Sequence, residues 1–135
     1  MIVDTSAIVA ILRGEPGHEA LSQAILADQS PRMSTATLVE LHAVTTVRGQ
    51  PAQSRRVDAL LKALGIHLVP FDEEQSAIAR EAYRDFGKGS GHQAKLNLGD
   101  CFTYALAAQT GEPLLFVGDD FIHTDLTPVL GLRPS

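Results

Sequence analysis

The sequence predicts an α/β fold in which helices cover both faces of a mainly parallel sheet. Short apolar segments alternate with longer segments of helical patterning, which is the order expected of strand–helix–strand units. The apolar segments lack the alternation of polar and apolar residues that marks a sheet with one face in water. No internal repeat or linker divides the 135 residues. We therefore predict one domain over residues 1–135, long enough to enclose a hydrophobic core.

The first half of the chain is predicted to begin with a strand and to continue mainly as helices. Residues 2–3 form a short strand that ends at Asp4, and a helix over 6–12 follows with Thr5 or Ser6 as its N-cap. The remaining predicted elements are a helix at 18–27, a strand at 32–34, a helix from 35 to Gly49 and a helix from about Pro51 to Gly65.

The second half is predicted to contain two strands, two helices and a glycine-rich loop. The segment 66–71 is rich in β-branched residues, which indicates a strand. Asp72 is the expected N-cap of a helix at 73–86, with Gln75 at the capping-box position. The remaining predictions are a loop at 87–95, a helix at 98–111 and a strand at 112–120 that ends in two carboxylates.

Carboxylates interrupt apolar segments at four places, namely Asp4, Glu40, Asp100 and the pair Asp119 and Asp120. Each has an ordinary explanation when taken alone, because acids favour the first turn of a helix, aspartates are common in turns, and a glutamate can be a solvated helix residue. Two of the places follow strands, and two lie near helix starts or on apolar helix faces. Because ligands of parallel sheets bind beyond the carboxyl ends of the strands, we expect the four places to meet there.

Such a cluster of carboxylates predicts a metal ion. Acids held close together repel one another, and some would stay protonated at neutral pH unless a divalent cation offset their charge. The chain offers oxygen ligands and no His or Cys cluster at metal-binding spacing, which favours Mg²⁺ or Mn²⁺ over Zn²⁺. A site of this kind is typical of phosphoryl chemistry, in which the metal neutralises phosphate charge and activates a water.

Composition and charge limit the classes of protein further. A net charge of −5 argues against nucleic-acid binding by the whole surface and is compatible with a local basic patch. The single cysteine, Cys101, excludes an internal disulfide framework and is expected to be a small buried residue in a reducing compartment. The first residues do not resemble a signal peptide, and no apolar segment is long enough to span a membrane. We therefore expect a cytoplasmic protein.

Four segments carry a resemblance to a known family: MIVDTSAIVAIL, ATLVELHAV, LNLGDCFTYALA and FVGDDFIHTDL. They resemble the PIN-domain ribonucleases and, among these, the VapC toxins of bacterial toxin–antitoxin systems. The resemblance implies a three-layer α/β/α domain and a Mg²⁺-dependent endoribonuclease in which Mn²⁺ can substitute. It also implies cleavage of structured RNA, transfer or ribosomal, by a metal-activated water. The implied partners are a VapB-like antitoxin and a second copy of the chain, in a homodimer or a toxin–antitoxin hetero-oligomer.

The same resemblance assigns roles to the acids. Asp4, Glu40 and Asp100 match the first three acids of the family. The resemblance favours Asp120 as the fourth, because it stands directly before the aromatic Phe121, and leaves Asp119 as the alternative or as an auxiliary metal ligand. Asp4 and Asp100 would bind the principal metal, whereas Glu40 and Asp120 would hold a second metal or its water ligands. The supporting candidates are Thr5, Ser6 and Asp125.

Basic residues that precede the Asp100 helix are candidates for RNA binding. The glycine-rich loop carries Lys88, His92 and Lys95, and Arg84 lies in the helix before it. We expect the two lysines to contact phosphates. Arg84 has an alternative role on a solvated helix face, because acids stand beside it in the sequence.

Two other interpretations of the acids stay open at this point. A phosphoaccepting receiver domain of a signalling system has a similar length and an acidic metal pocket. Its paired acids would follow the first strand, however, and here they come last. A non-catalytic PIN-like module would bind RNA or protein without cleaving it, and the presence of an acid at all four places argues against that loss of activity.

Overall fold

The computed structural model describes residues 1–46 and 50–129, and in these ranges six helices surround a parallel four-stranded sheet. The strands are β1 (Ile2–Val3), β2 (Arg32–Ser34), β3 (His67–Val69) and β4 (Leu114–Leu115), and the helices are α1 (Thr5–Arg13), α2 (His18–Ala27), α3 (Thr35–Thr45), α4 (Pro51–Ala63), α5 (Glu73–Phe86) and α6 (Leu98–Thr110). The strand order is β3-β2-β1-β4, and every neighbouring pair is parallel. The predicted α/β class with a mainly parallel sheet is confirmed.

The sheet separates two hydrophobic clusters, so the domain has three layers. Val3 and Leu115 lie in a cluster with side chains of α1–α4, whereas Ile2 and Leu114 lie in a cluster with side chains of α5 and α6. All four side chains are at most 1 % exposed. Successive residues of a strand are thus buried on opposite faces, which explains why the strands are apolar without alternation.

The chain turns directly from β1 into α1 at Asp4. The backbone of Asp4 is extended, and its carboxylate accepts a hydrogen bond from the backbone N–H of Ser6, so Asp4 is the N-cap of α1. The prediction of Thr5 or Ser6 as the N-cap is wrong because the helix already begins at Thr5. Ser34 caps α3 in the same way where β2 ends. The starts of α1 and α3 therefore lie at the same edge of the sheet.

The last strand is shorter than predicted. The backbone N–H of Val117 donates to the Ser6 hydroxyl (N–Oγ 3.0 Å) instead of extending the strand ladder. Gly118 then adopts a left-handed φ of 105°, which glycine accepts without strain and a strand does not use. Asp119 and Asp120 consequently lie in a turn beyond β4 and do not end it.

Other local predictions also need correction. β3 covers only the part of the predicted strand that pairs with β2. α3 ends at Thr45, and the predicted end at Gly49 lies outside the described residues. Gln75 forms no capping box, because its side chain donates to the Pro70 carbonyl while only its backbone N–H is bound by Asp72. In the described part of the chain, no helix is long and apolar enough to cross a membrane.

Candidate active site

Four acids from separate elements lie together at the carboxyl edge of the sheet. Asp4 follows β1, Glu40 lies in α3, Asp100 lies in the first turn of α6, and Asp120 lies in the turn beyond β4. The negative charge of Asp4 raises the pKa of each of the other three carboxyl groups. The side chains are therefore close enough to repel one another.

Asp4 is the most deeply buried of these acids and is only 3 % exposed. Its Oδ1 accepts a hydrogen bond from the Thr103 hydroxyl at 2.7 Å. Its Oδ2 accepts from the Ser6 hydroxyl at 2.7 Å and from the Ser6 backbone N–H at 3.1 Å. These donors offset much of the cost of burying a carboxylate. Ser6 thus supports Asp4 directly, as expected of one of the two hydroxyl residues.

Glu40 is held between Thr5 and the start of α6. The Thr5 hydroxyl donates to Glu40 Oε1 at 2.6 Å. The carboxylate lies against the backbone of Gly99, where any Cβ atom would overlap it. Burial raises the pKa of Glu40, the Thr5 hydrogen bond lowers it, and the charge of Asp4 raises it again. A glycine at this position therefore lets an acid of α3 lie beside Asp100.

Asp100 closes a capping box at the start of α6. Its backbone N–H donates to the Asn97 side chain at 2.8 Å, and its Oδ2 accepts from the Asn97 backbone N–H at 3.0 Å. The side chain is 7 % exposed. Burial, followed by the charges of Asp4, Asp120 and Glu40, raises the pKa of Asp100 to about 7, although the Asn97 hydrogen bond lowers it. Asp100 therefore titrates near neutral pH when no cation is bound.

The two adjacent aspartates beyond β4 differ in their relation to the site. Partial burial of its carboxyl group, together with the charges of Asp4 and Asp119, raises the pKa of Asp120, whereas Lys88 lowers it. The charge of Asp120 also acts on Asp100. This coupling favours Asp120 over Asp119 as the fourth acid.

Asp125 contacts the site through an aromatic residue. Its Oδ1 accepts a hydrogen bond from the Tyr104 hydroxyl at 2.7 Å, and Tyr104 lies one turn after Asp100 in α6. Burial and this hydrogen bond raise the pKa of Tyr104. This hydrogen bond links α6 to the segment that contains both Asp120 and Asp125. Asp125 is thus placed to hold that segment in position.

The four basic candidates fall into two groups. Arg84 is exposed and pairs with its neighbour Asp85 (Nε–Oδ1 2.9 Å), as expected for a solvated helix face. His92 packs its ring edge against Phe86, with 4.8 Å between ring centroids, and its Nδ1 accepts the Ala94 backbone N–H.

The two lysines, in contrast, are exposed and lie in the loop that leads to the Asp100 helix. Lys88 acts on the pKa of Asp120 and is therefore near the acids. Lys95 holds a left-handed φ of 51° between two buried residues, Ala94 and Leu96. The two lysines remain the better candidates for a phosphate contact.

Several residues that shape the site were not among the sequence-based candidates. Thr103 bonds to Asp4, Thr37 bonds to Thr103, Gly99 makes room for Glu40, and Asn97 caps Asp100. Helical spacing could have indicated the threonines, since Thr37 lies three residues before Glu40 and Thr103 three residues after Asp100. Cys101, between these residues, is fully buried, and burial raises the pKa of its thiol to about 11, as suits a small core residue.

The acids offer the hard oxygen donors that Mg²⁺ prefers in proteins. Among residues 1–46 and 50–129, no three His, Cys, Asp or Glu side chains converge closely enough to hold a metal by themselves. Mg²⁺ usually binds proteins through one or two carboxylates and retains several waters, so a full protein cage is not required. The donors are all hard oxygens, and their mutual repulsion favours a cation. Direct binding by Asp4 and Asp100 stays a prediction.

A parallel α/β domain with acids gathered at its carboxyl edge is the arrangement expected of a PIN domain, and the PIN domain family profile matches residues 1–126. VapC ribonuclease Mb2780c of Mycobacterium bovis is 55% identical over 128 residues, which cover 95% of this chain and 98% of that protein. Ribonuclease VapC28 of Mycobacterium tuberculosis is 45% identical over 133 residues, with 98% and 100% coverage. The chain therefore belongs to the VapC ribonucleases of the PIN-domain family.

Solved structures share the fold at lower sequence identity. The crystal structure of VapBC2 from Rickettsia felis bound to a promoter DNA fragment aligns with a TM-score of 0.74 at 14% identity, over 99% of this chain and 98% of that chain. FitAcB from Neisseria gonorrhoeae aligns with a TM-score of 0.61 at 24% identity, over 94% of each chain. At these identities the similarity supports the three-layer fold.

We expect Gly99→Ala to displace the Glu40 carboxylate without unfolding the protein. The new methyl group would occupy the space of that carboxylate, and the Glu40 side chain can rotate away if its bond to Thr5 breaks. Alanine favours a helix over glycine by about 0.5–1 kcal/mol, so the free energy of unfolding should change little, while a crystal structure shows Glu40 moved.

The matched control for this change is the Glu40→Ala background, in which no carboxylate opposes the methyl group. There, Gly99→Ala should stabilise the protein by about the full 0.5–1 kcal/mol in chemical denaturation. A Gly99→Ala crystal structure with Glu40 still bonded to Thr5 would contradict the close contact.

The raised pKa of Asp100 predicts a stability that falls with rising pH in EDTA. The pKa of Asp100 is near 3.8 in the unfolded chain and about 7 in the folded protein. Between these two pH values the folded state binds a proton that the unfolded state has lost, so stability decreases as pH rises through that window. Each unit of pKa difference corresponds to about 1.4 kcal/mol. Asp100→Asn should therefore lose less stability than the wild type between about pH 4 and 7 in thermal unfolding. Both proteins contain the same histidines, so histidine titration contributes equally to both stability curves. Equal slopes of stability against pH for the two proteins would refute the raised pKa of Asp100.

Proposed function

We propose that this protein is a Mg²⁺-dependent endoribonuclease toxin of a toxin–antitoxin system, with Mn²⁺ as a substitute metal. The observation that carries the proposal is the electrostatic coupling of Asp4, Glu40, Asp100 and Asp120 at one edge of the sheet. The identity to curated VapC ribonucleases supports the reaction class. The receiver interpretation is wrong, because the chain belongs to the PIN-domain family.

In this proposal the acids hold the cation and the hydroxyl residues hold the acids. Asp4 and Asp100 would bind the principal ion, and Glu40 and Asp120 would hold a second ion or the water ligands of the first. When bound, Mg²⁺ would neutralise charge on the scissile phosphate and activate a water nucleophile. Ser6 keeps the Asp4 carboxylate in place throughout, through its hydroxyl and its backbone N–H.

The proposed substrate is a structured RNA, transfer or ribosomal, that lies along the glycine-rich loop. The positive charge of Lys88 lowers the pKa of Asp120, so Lys88 lies near the acids. Lys95 extends from the same loop, just before Asp100. One solved neighbour, VapC20 of Mycobacterium tuberculosis, is described as a toxin that cleaves the sarcin–ricin loop, at 15% identity to this chain.

The proposed protein partners are a VapB-like antitoxin and a second copy of the chain. One structural neighbour, from Klebsiella pneumoniae, is described as a toxin–antitoxin complex, and another is VapBC2 from Rickettsia felis bound to promoter DNA. A groove between α5 and α6 exposes apolar side chains that a partner could cover, including Phe71, Tyr83, Leu98 and Phe102. We expect such complexes to form in the cytoplasm, where the single buried thiol stays reduced.

Asp4→Asn and Asp100→Asn should each reduce RNA cleavage by at least about 100-fold. The reason is that the metal contributes several kcal/mol of charge stabilisation in the transition state, and each change removes a carboxylate that would hold it. EDTA should abolish cleavage by the wild type, and Mg²⁺ should restore it. Asp85→Asn makes the same chemical change at an exposed surface acid and should leave the rate unchanged.

Thermal unfolding checks that each Asn variant is folded before its rate is interpreted. Cleavage at the wild-type rate by a folded Asp4→Asn or Asp100→Asn protein would refute the proposed site. RNA binding without cleavage by the wild type in Mg²⁺ and in Mn²⁺ would instead favour a non-catalytic module.

Lys88→Ala and Lys95→Ala should each lower the salt dependence of RNA binding. Every phosphate contact that is lost should reduce the slope of log affinity against log salt by roughly one. Binding is measured in the Asp100→Asn background so that the RNA stays intact. Lys62→Ala, at the exposed end of α4, is the control and should keep the slope. Unchanged slopes for both loop variants would exclude this loop from the RNA interface.

A further inference from the structure

We propose that Thr37 and Thr103 are positioning residues that aim one oxygen of Asp4 at the metal. The inference rests on the proposed function, since it concerns the ion that the acids would hold. Neither threonine carries a charge or touches solvent, since Thr37 is 1 % and Thr103 0 % exposed. Their hydroxyl groups nevertheless form a hydrogen-bonded chain that ends at Asp4 Oδ1.

The two threonines connect the helices that carry two of the acids. The hydroxyl oxygens of Thr37 and Thr103 lie 3.2 Å apart, and the Thr103 hydroxyl lies 2.7 Å from Asp4 Oδ1. Thr37 lies one helical turn before Glu40 in α3, and Thr103 lies one turn after Asp100 in α6. Each threonine therefore lies on the same helix face as the acid of its own helix.

The direction of the hydrogen bonds follows from the number of protons. An ionised Asp4 can only accept, so the single Thr103 proton is donated to Oδ1. In the pair of hydroxyls, Thr37 must then be the donor and Thr103 the acceptor. Buried hydroxyl groups that form such a chain strengthen one another, and the chain fixes Oδ1 from one side.

The other oxygen of Asp4 is already fully occupied. Oδ2 accepts both the hydroxyl and the backbone N–H of Ser6. A carboxylate offers about four acceptor positions in all, two on each oxygen. Oδ1 therefore retains one acceptor position, and the Thr103 bond decides where it points. The structure assigns that position to the metal.

A purely structural role gives a different expectation. If the two hydroxyls only filled space in the core, valine, which has the same shape, would replace either of them without effect on the site. If they position Asp4, valine should leave the fold intact and weaken metal binding, because partners that orient a metal ligand typically contribute 10–100-fold in affinity.

The test measures binding of Mn²⁺ alone by isothermal titration calorimetry, with no RNA present. Thr103→Val should weaken Mn²⁺ affinity by about 10–100-fold, Thr37→Val should weaken it less, and Thr103→Ser should restore most of the wild-type value. Thr110→Val is the matched control on α6, because its hydroxyl bonds to the Leu106 carbonyl of its own helix. The Mg²⁺ concentration for half-maximal cleavage should rise in parallel with the Mn²⁺ dissociation constant.

The outcomes separate the inference from the proposed function. Wild-type Mn²⁺ affinity in a folded Thr103→Val protein overturns the positioning role and leaves the metal site standing. No Mn²⁺ binding by the wild type overturns both. If Thr103→Val fails to fold, Thr37→Val and Thr103→Ser decide the question, since equal affinity of Thr37→Val and wild type would also overturn the inference. A crystal structure of either valine variant should show the Asp4 carboxylate rotated.

Discussion

The buried carboxylate of Asp4 is the constraint on which the rest of the site depends. An unpaired carboxylate in a protein interior costs several kcal/mol, and Asp4 is 3 % exposed. Ser6 and Thr103 supply its hydrogen bonds from two different helices. Because Ser6 is two residues from Asp4 and Thr103 is 99 residues away, both donors reach the carboxylate only when β1 and α6 are packed together.

The fold places the other three acids close enough to Asp4 for their negative charges to repel one another. Burial and neighbouring charge raise the pKa values of Glu40, Asp100 and Asp120, so the site binds protons more readily than isolated carboxyl groups do. Burial of the hydrophobic clusters on both faces of the sheet offsets the free-energy cost of this repulsion. Stability is commonly sacrificed in this way at functional sites, and a divalent cation would relieve the repulsion.

Small residues decide how closely the acids approach. Gly99 lets the Glu40 carboxylate lie against the backbone of α6, next to Asp100. Thr37 and Thr103 occupy the buried space below the acids with groups that can bond to them. The acids define the chemistry that the site can perform, whereas these small side chains define its geometry.

The sequence by itself determined the order of strands and helices and the parallel sheet, because apolar periodicity and turn residues act locally, and it predicted the acids of the site from their places in apolar segments. It also indicated that Asp4 ends a strand. Only the tertiary structure decided that Asp120 is coupled to Asp100 and that Thr103 bonds to Asp4. The physical reason is that these contacts join elements far apart in the chain, and local patterns carry no information about which side chains a sheet brings face to face.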